Sequence, residues 1–224
     1  MSVSASAPVS VNASINASVN ESLNASATKS APASPPVLLI VTDVFGNTPA
    51  IASFARQFPL PCLIASPFTG EKTQYPAETL AYHAFIAEGG VAAYADNLSQ
   101  LIQTHQSSLR YAIGFSAGAS ALWLNSASTA MANLQQAVLF YGSRIRDHRD
   151  VQPACPTRLI FAEQEAAFEP AELVADLRQR NQNAELVKGS KHGFMNPYSA
   201  GFCLKTQERF MKELLDLAQI SAAA

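Results

Sequence analysis

The segment Gly114-Phe115-Ser116-Ala117-Gly118 places a serine among small residues, directly after an apolar run. A G-x-S-x-G sequence in this setting is typical of a sharp strand-to-helix turn that exposes a serine hydroxyl at the end of a strand. The chemistry that it indicates is nucleophilic attack by Ser116 on an acyl carbon. The alternative is a small-residue helix start that lets a helix pack closely on a sheet, because so short a motif also arises by chance.

A serine hydroxyl is a weak nucleophile and needs a base within hydrogen-bond reach. In the fold that uses this turn, the triad follows the chain order serine, acid, histidine, and only His148 and His192 come after Ser116. His148 lies in the charged run 146–150, which is typical of a solvated loop. His192 follows a predicted strand, where a loop histidine can reach the strand ends, so we expect His192 to be the base.

The carboxylate that orients the histidine should follow the strand predicted between Ser116 and His192. Glu163 leaves that predicted strand first and could be a simple surface carboxylate. Glu165 stands two residues further into the loop and reaches further towards the carboxyl edge of the sheet. We expect Glu165 to be the acid, with Glu163 as the alternative and Glu169 as a more distant one.

From Pro36 onwards, apolar runs alternate with longer helix-like segments, which is typical of parallel strands joined by crossover helices. The predicted strands are 37–43, 60–65, 110–115, 137–142, 158–162 and 185–188. The predicted helices are 48–58, 91–106, 117–126, 170–181 and 199–218, and 67–82 is predicted as an irregular loop with a short helix. This pattern predicts an α/β fold in which a mostly parallel central sheet carries helices on both faces.

Residues 1–35 differ in composition from the rest of the chain. They are dominated by Ser, Ala and Asn with a four-residue echo, and they end in the Pro-rich stretch 31–36. Such a composition buries too little apolar surface to offset its ordering entropy. We therefore expect a disordered tail and linker over 1–35, followed by a single domain over 36–220.

Charge and composition exclude several classes of function. The chain has 224 residues, 48% of them hydrophobic, and a formal net charge of −2, with no cluster of Lys or Arg that would neutralise phosphates. Nucleic acid and anionic membrane are therefore poor candidates for partners. Cys62, Cys155 and Cys203 have neither disulfide-framework nor zinc-site spacing. Together with the lack of a secretory signal pattern or a membrane-spanning run, this predicts a cytoplasmic protein without a metal site.

Four motifs occur in order along residues 36–217: Val41-Thr-Asp-Val-Phe-Gly46, Gly114-Phe-Ser-Ala-Gly118, Tyr141-Gly142 and His192-Gly-Phe194. As a set, the chain resembles the dienelactone hydrolase family of α/β-hydrolases. The resemblance implies a hydrolase with little or no cap domain, with Ser116 as nucleophile, His192 as base and Glu165 as acid. It also implies an oxyanion hole formed by the backbone N–H groups of Val44 and Ala117.

The chain departs from the family pattern at the nucleophile and at two acids, one of which is Glu165, where family members usually place aspartate. Well-known dienelactone hydrolases carry cysteine in the turn and glutamate where Asp43 stands, and that glutamate interacts with the resting thiol. Asp43 could contact the nucleophile, His192 or the substrate, or it could anchor its own loop.

Three further residues are candidates for contact with the substrate. Arg144 could hold a substrate carboxylate, or it could pair with Asp147 or Asp150 at the surface. Tyr75 and Tyr141 could form walls of a pocket.

The sequence therefore predicts a serine hydrolase that cleaves a small carboxylic ester or lactone through an acyl-enzyme intermediate. No organic cofactor or metal is implied, and we expect a monomer or homodimer. Two alternatives stay open. One is a non-catalytic binding protein with an α/β-hydrolase fold, and the other is a thioester or peptide hydrolase with the same triad.

Overall fold

The computed structural model describes residues 37–68 and 75–222, and side chains as far as residue 218. The predicted tail over 1–35 lies outside the described residues. The strands are β1 (Val37–Val41), β2 (Cys62–Ala65), β3 (Leu109–Phe115), β4 (Gln136–Phe140), β5 (Thr157–Gln164) and β6 (Asn183–Lys191). The α-helices are α1 (Pro49–Ala55), α2 (Glu78–Ala87), α3 (Gly90–His105), α4 (Ala117–Asn125), α5 (Pro170–Gln179) and α6 (Leu204–Ala222).

The six strands form one sheet in the order β2-β1-β3-β4-β5-β6, and every neighbouring pair is parallel. The carboxyl ends of all six strands therefore lie at one edge, where loops from different parts of the chain meet. The predicted mostly parallel sheet with helices on both faces is confirmed.

Each face of the sheet has its own apolar core, because successive strand residues point to opposite faces. Leu39 and Val41 of β1 belong to the core covered by α2, α3, α4 and α5, whereas Leu38 and Ile40 belong to the core covered by α1 and α6. Strands buried on both faces read as continuous apolar runs, which is why the sequence shows them clearly. Every described helix contributes to one of these cores, so the described residues form no separate cap domain.

The pairing of β5 with β6 differs from the prediction and positions the site. β5 continues through Glu163 to Gln164, and β6 is longer at both ends than predicted, finishing at Lys191. After an irregularity in the register, Gln164 pairs with Lys191. The residues that follow these two strand ends are Glu165 and His192, which therefore leave the sheet side by side.

The last helix begins at Leu204 instead of at the predicted Ser199. The Ser199 N–H donates to the carbonyl of Asn196 at 3.0 Å, and the Phe202 N–H donates to the carbonyl of Ser199 at 3.1 Å, so the chain makes successive turns first. Phe202 falls within the predicted helix 199–218 but is half-buried outside the observed one, whereas Phe210 is buried within it. Within the described residues, no helix is both long and apolar enough to cross a membrane.

Candidate active site

Ser116 occupies a strained turn between β3 and α4. Its backbone has φ 50° and ψ −111°, an unfavourable combination for a residue with a side chain. The turn is held because the Ser116 N–H donates to the carbonyl of Phe140 at 2.9 Å and the Ser116 carbonyl accepts from the Ser120 N–H at 3.0 Å. The serine side chain is consequently presented beyond the carboxyl end of β3, as the sequence predicts for such a turn.

The glycines on either side of Ser116 are required by close backbone approaches. A Cβ on Gly118 would lie 2.3 Å from the carbonyl oxygen of Thr42, and a Cβ on Gly114 would lie 2.8 Å from the Cα of Ala119. The alternative reading of the motif, close packing of a helix on the sheet, is thus also true of this segment. It describes how the turn is built and does not compete with a half-buried serine at the end of the strand.

Ser116, His192 and Glu165 form a continuous hydrogen-bonded chain. The Ser116 Oγ lies 2.8 Å from the His192 Nε2, and the His192 Nδ1 lies 2.7 Å and 2.9 Å from the two carboxylate oxygens of Glu165. The Glu165 side chain is only 6% exposed and that of His192 is 27% exposed. The Tyr141 ring packs edge-on against the imidazole, with the centroids 5.0 Å apart. These contacts fix the His192 imidazole in an orientation in which Nε2 faces Ser116 and Nδ1 faces Glu165.

The other candidates for base and acid lie elsewhere. The Glu163 carboxylate accepts from the Gly189 N–H at 2.8 Å, which ties it to the turn late in β6. Glu169 is exposed at the amino end of α5, and His148 is exposed after a short 3₁₀ helix. Glu163 and Glu165 are two residues apart, so they would lie on the same face of a regular strand. The bulge and the end of the strand between them instead direct the two carboxylates to different partners.

Three carboxylates act on the protonation of His192. Burial alone would lower the pKa of His192, but the hydrogen bond and charge of Glu165, with the charges of Glu78 and Asp43, raise the pKa above its ordinary value of 6.5. Glu78 approaches this loop through Ser199, whose Oγ donates to the Glu78 carboxylate at 3.3 Å. A raised pKa suits a group that must accept a proton from serine and hold it.

The predicted oxyanion donors are the backbone N–H groups of Val44 and Ala117. Both residues are buried, and both lie at this edge of the sheet. Within the described ranges, neither backbone N–H donates to a protein acceptor. The Ala117 N–H is free because it begins α4, where the first N–H groups of a helix lack intrahelical partners and the helix dipole favours negative charge. Two buried, unused N–H groups can bind an oxyanion.

Asp43 is buried after β1 and anchors its own loop. Its Oδ1 accepts from the Phe45 N–H at 3.0 Å, and its Oδ2 accepts from the Asn196 amide Nδ2 at 2.5 Å. Burial raises the pKa of Asp43 to about 6, against the opposing effects of these hydrogen bonds and of His192. Of the two sequence readings of Asp43, the structure shows the loop anchor.

Asn196 is a residue that the sequence reasoning missed. It follows His192 by one turn of chain, and only the dipeptide Asn196-Pro197, typical of a turn, distinguished it from its apolar neighbours. Its partner Asp43 is distant in the sequence, so no spacing rule could have joined them.

A small cleft adjoins Asp43 and Asn196. Its lining is mostly apolar and comes from the loop after β1, from the ends of β3 and β4, from α1 and α6 and from the loop after His192. The lining residues are Asp43, Ala50, Ile51, Phe54, Phe115, Tyr141, Met195, Asn196, Pro197 and Gln207. Tyr141 is among these lining residues, and its role as a pocket wall for substrate stays a prediction.

Arg144 and Tyr75 were predicted as further substrate contacts, and the structure gives each another partner. The Arg144 guanidinium lies 2.9 Å from the Asp147 carboxylate, and its side chain is 54% exposed, so it makes the surface pair that was the alternative for it. The Tyr75 ring packs on Phe68 with the centroids 5.3 Å apart. In the part of the chain that the structure describes, no group of three or more His, Cys, Asp or Glu residues is arranged to hold a metal ion.

Comparison with known proteins gives a family and a fold. The model of the dienelactone hydrolase family matches residues 23–219. The chain is 28% identical over 173 residues to the uncharacterized protein YczH of Bacillus subtilis strain 168, an alignment that covers 75% of this chain and 84% of YczH.

Two solved structures share the fold. A Klebsiella pneumoniae protein provisionally named a dienelactone hydrolase superposes with a TM-score of 0.65 at 18% identity, covering 85% of this chain and 89% of that one. A dienelactone hydrolase-like promiscuous phosphotriesterase from metagenomic libraries gives a TM-score of 0.61 at 14% identity, covering 85% and 88%. With the family match over most of its length, this chain belongs to the dienelactone hydrolase family and is an α/β-fold hydrolase.

Proposed function

We propose that the protein is a serine hydrolase that cleaves a small carboxylic ester or lactone through an acyl-enzyme intermediate. The observation that carries the proposal is the hydrogen-bonded chain from Ser116 through His192 to Glu165. This chain has the geometry that activates a serine, with the base in contact with the nucleophile and the acid in contact with the base.

In the first step, the Ser116 Oγ attacks the carbonyl carbon while its proton passes to the His192 Nε2. Negative charge then develops on the carbonyl oxygen, where the free N–H groups of Val44 and Ala117 donate to it. Glu165 stabilises the imidazolium without taking its proton. Collapse of the adduct transfers that proton to the leaving alcohol, and attack by water in the reverse sense releases the acid and restores the serine.

The charges around the site favour uncharged substrates. Asp43, Glu78 and Glu165 all act on His192 as negative charges, while Arg144 is held at the surface by Asp147. A substrate carboxylate close to His192 would therefore meet repulsion without a compensating arginine. The mostly apolar cleft is lined by Asp43 and Tyr141 and not by Ser116 or His192, and it supports a small alkyl or aryl group as the part of the ester remote from the scissile bond.

A non-catalytic binding protein would be favoured by a Ser116 that faces away from His192 and by a ring that no glutamate reaches. Neither condition is met, so we favour catalysis. Thioesters and peptides remain alternatives because they would use the same three residues, and a substrate panel must separate them.

Activity-based labelling tests the proposal directly. We expect a fluorophosphonate probe to label the wild-type protein and Ser107→Ala, and Ser116→Ala to lose both labelling and turnover of p-nitrophenyl acetate. Ser107 is a matched control because it is exposed before the amino end of β3, opposite the site. Full labelling and esterase activity in Ser116→Ala would contradict the proposal, and faster cleavage of a matched thioester or anilide than of the ester would reassign the substrate class.

A further inference from the structure

Two turns at the active-site edge are built in the same way. After β1, the Asp43 side chain accepts from the N–H of the residue two positions later, Phe45, and its carbonyl accepts from the N–H three positions later, Gly46. After β6, the Asn196 Oδ1 accepts from the Tyr198 N–H at 2.9 Å, and its carbonyl accepts from the N–H of residue 199 at 3.0 Å. Each turn is therefore ordered by a side chain that imitates a backbone carbonyl.

The two turns are joined side chain to side chain. The Asn196 Nδ2 donates to the Asp43 Oδ2, and the two residues are only 9% and 7% exposed. They follow β1 and β6, which are separated in the sheet by β3, β4 and β5. This single hydrogen bond thus connects loops that backbone pairing does not connect.

Each turn carries one element of the reaction. In the turn after β1, the N–H groups of Phe45 and Gly46 are used, which leaves that of Val44 without an acceptor in the described chain. The turn after β6 closes the loop that begins with His192, through the bond from the Asn196 N–H to the Gly193 carbonyl at 2.9 Å. The joined turns therefore hold an oxyanion donor and the base at a fixed separation.

We propose that Asp43 and Asn196 are a pair of positioning residues that set the Val44 N–H of the oxyanion hole relative to the His192 imidazole. The inference rests on the proposed serine hydrolase function. Both Asp43 oxygens and both polar atoms of the Asn196 side chain are engaged within the protein, so the positioning role is argued from the loops that the pair joins. The two residues also line the adjoining cleft, and the separate measurement of kcat and KM distinguishes positioning from substrate contact. Removing one oxyanion donor costs about 10²–10³ in kcat in a serine hydrolase, which sets the upper scale for displacing one.

The exchange of the two side chains provides a sharp test. In the double variant Asp43→Asn/Asn196→Asp, the new Asn can accept from the Phe45 N–H and donate to the new Asp, whose other oxygen can accept from the Tyr198 N–H. All three hydrogen bonds are kept and only the position of the charge changes. Asp43→Asn instead sets two amides against each other, and the amide that accepts from the Phe45 N–H then presents its NH2 group to the Asn196 NH2 group. Asn196→Asp sets two carboxyl groups against each other, and these lose the joining bond once both are ionised.

Steady-state hydrolysis of a neutral p-nitrophenyl ester should be measured for the wild type, both single variants and the exchange variant. Asp43 faces His192, Glu78, Tyr94 and Tyr141 as well as Asn196, so all measurements belong on the alkaline plateau of each pH profile. We expect each single variant to lose about tenfold or more in kcat with KM within about threefold, and the exchange variant to recover to within about threefold of the wild type.

Three results would overturn the inference: single variants with wild-type kcat, single variants that raise KM alone, or an exchange variant whose loss equals the product of the single losses. If a single variant does not fold, the exchange variant still decides, since an intact fold with strongly reduced kcat contradicts positioning by hydrogen bonds. If the wild-type protein shows no ester turnover, or if its turnover survives in Ser116→Ala, the proposed function and this inference both fail. Wild-type turnover with a failed exchange overturns the inference alone.

Discussion

The loops after β1 and after β5 each bring one carboxylate to the same edge of the sheet, and the two carboxylates have different partners. Glu165 contacts the His192 ring through both oxygens, at 2.7 Å and 2.9 Å. Asp43 accepts from a backbone N–H and from the Asn196 amide, neither of which can take a proton from it. The partner therefore decides what a buried acid can do: Glu165 is placed to set the charge and tautomer of the His192 ring, whereas Asp43 orders a loop.

The largest expected effect comes from neutralising the acid after β5. Glu165→Gln should lower kcat by about 10³-fold or more, because the amide no longer favours the required tautomer or stabilises the imidazolium. Glu163→Gln is the matched control: Glu163 stands two residues earlier, and its carboxylate accepts from the Gly189 N–H instead of contacting His192, so the kcat of this variant should stay within about twofold of the wild type. Steady-state kinetics on the two proteins checks the contrast, and equal losses would remove the distinction between them.

The next effect concerns the stability of the packing between α4 and the end of β1. A Cβ at position 118 would lie 2.3 Å from the Thr42 carbonyl oxygen, so Gly118→Ala should push α4 away from the end of β1 and cost about 3 kcal/mol of unfolding free energy. Gly189→Asn is the control: its φ is +71°, but nothing lies within 4 Å of a Cβ there, so it should cost only about 1 kcal/mol. Urea denaturation measures both, and a Gly118→Ala protein as stable as the wild type would contradict the close approach.

The pH dependence compares the two carboxylates through their common neighbour. Neutral His192 is the active form, and its pKa is raised, so kcat/KM should fall with decreasing pH at a midpoint above 6.5. Glu165→Gln should move the midpoint of its residual activity to lower pH, and Glu78→Gln should move it less, in keeping with their order as causes of the shift. A pH–rate profile that stays flat below 6.5, or a midpoint that rises in Glu165→Gln, would contradict this electrostatic account.

Stability should respond to pH in the opposite direction. The folded-state pKa of His192 is raised, so its contribution to stability is full below 6.5 and is lost as pH rises through the folded value. The pKa of Asp43 is raised from 3.8 to about 6, so its contribution is full below 3.8 and is lost as pH rises through about 6. The site therefore becomes active over a pH range in which these two groups stabilise the fold less.

The smallest effect is expected at Arg144 in the loop after β4. This loop presents an arginine, whereas the loops after β1 and β5 present the carboxylates of Asp43 and Glu165. Arg144→Ala should change kcat/KM by less than about twofold for both a neutral and an anionic ester, since its exposed pair with Asp147 contributes little. A matched pair of acetate and succinate monoesters of one phenol provides the measurement. If Arg144→Ala lowered kcat/KM for the anionic ester alone, Arg144 would leave Asp147 to bind the substrate carboxylate. That result would contradict the proposed preference of the site for uncharged substrates.

Much of the fold could be predicted because parallel strands buried on both faces leave continuous apolar runs in the sequence, and because the turn at Ser116 requires glycine at 114 and 118. The predicted ends of strands and helices agree less well with the structure. The predicted end of β5 at Ala162 left Glu163 in the loop, whereas pairing with β6 carries the strand to Gln164. Strand ends depend on a partner from another part of the chain, and local composition does not contain that information.

The sequence by itself determined which residues could do the chemistry: a serine in a turn of small residues, a later histidine in a loop, and a choice of glutamates between them. Tertiary structure decided among those glutamates, because the pairing of Gln164 with Lys191 releases Glu165 and His192 side by side. It also joined Asp43 to Asn196, two turn-forming residues whose hydrogen bond exists only where the sheet brings the ends of β1 and β6 to one edge. Side-chain type fixes what a group can donate or accept, and only the fold fixes which group it meets.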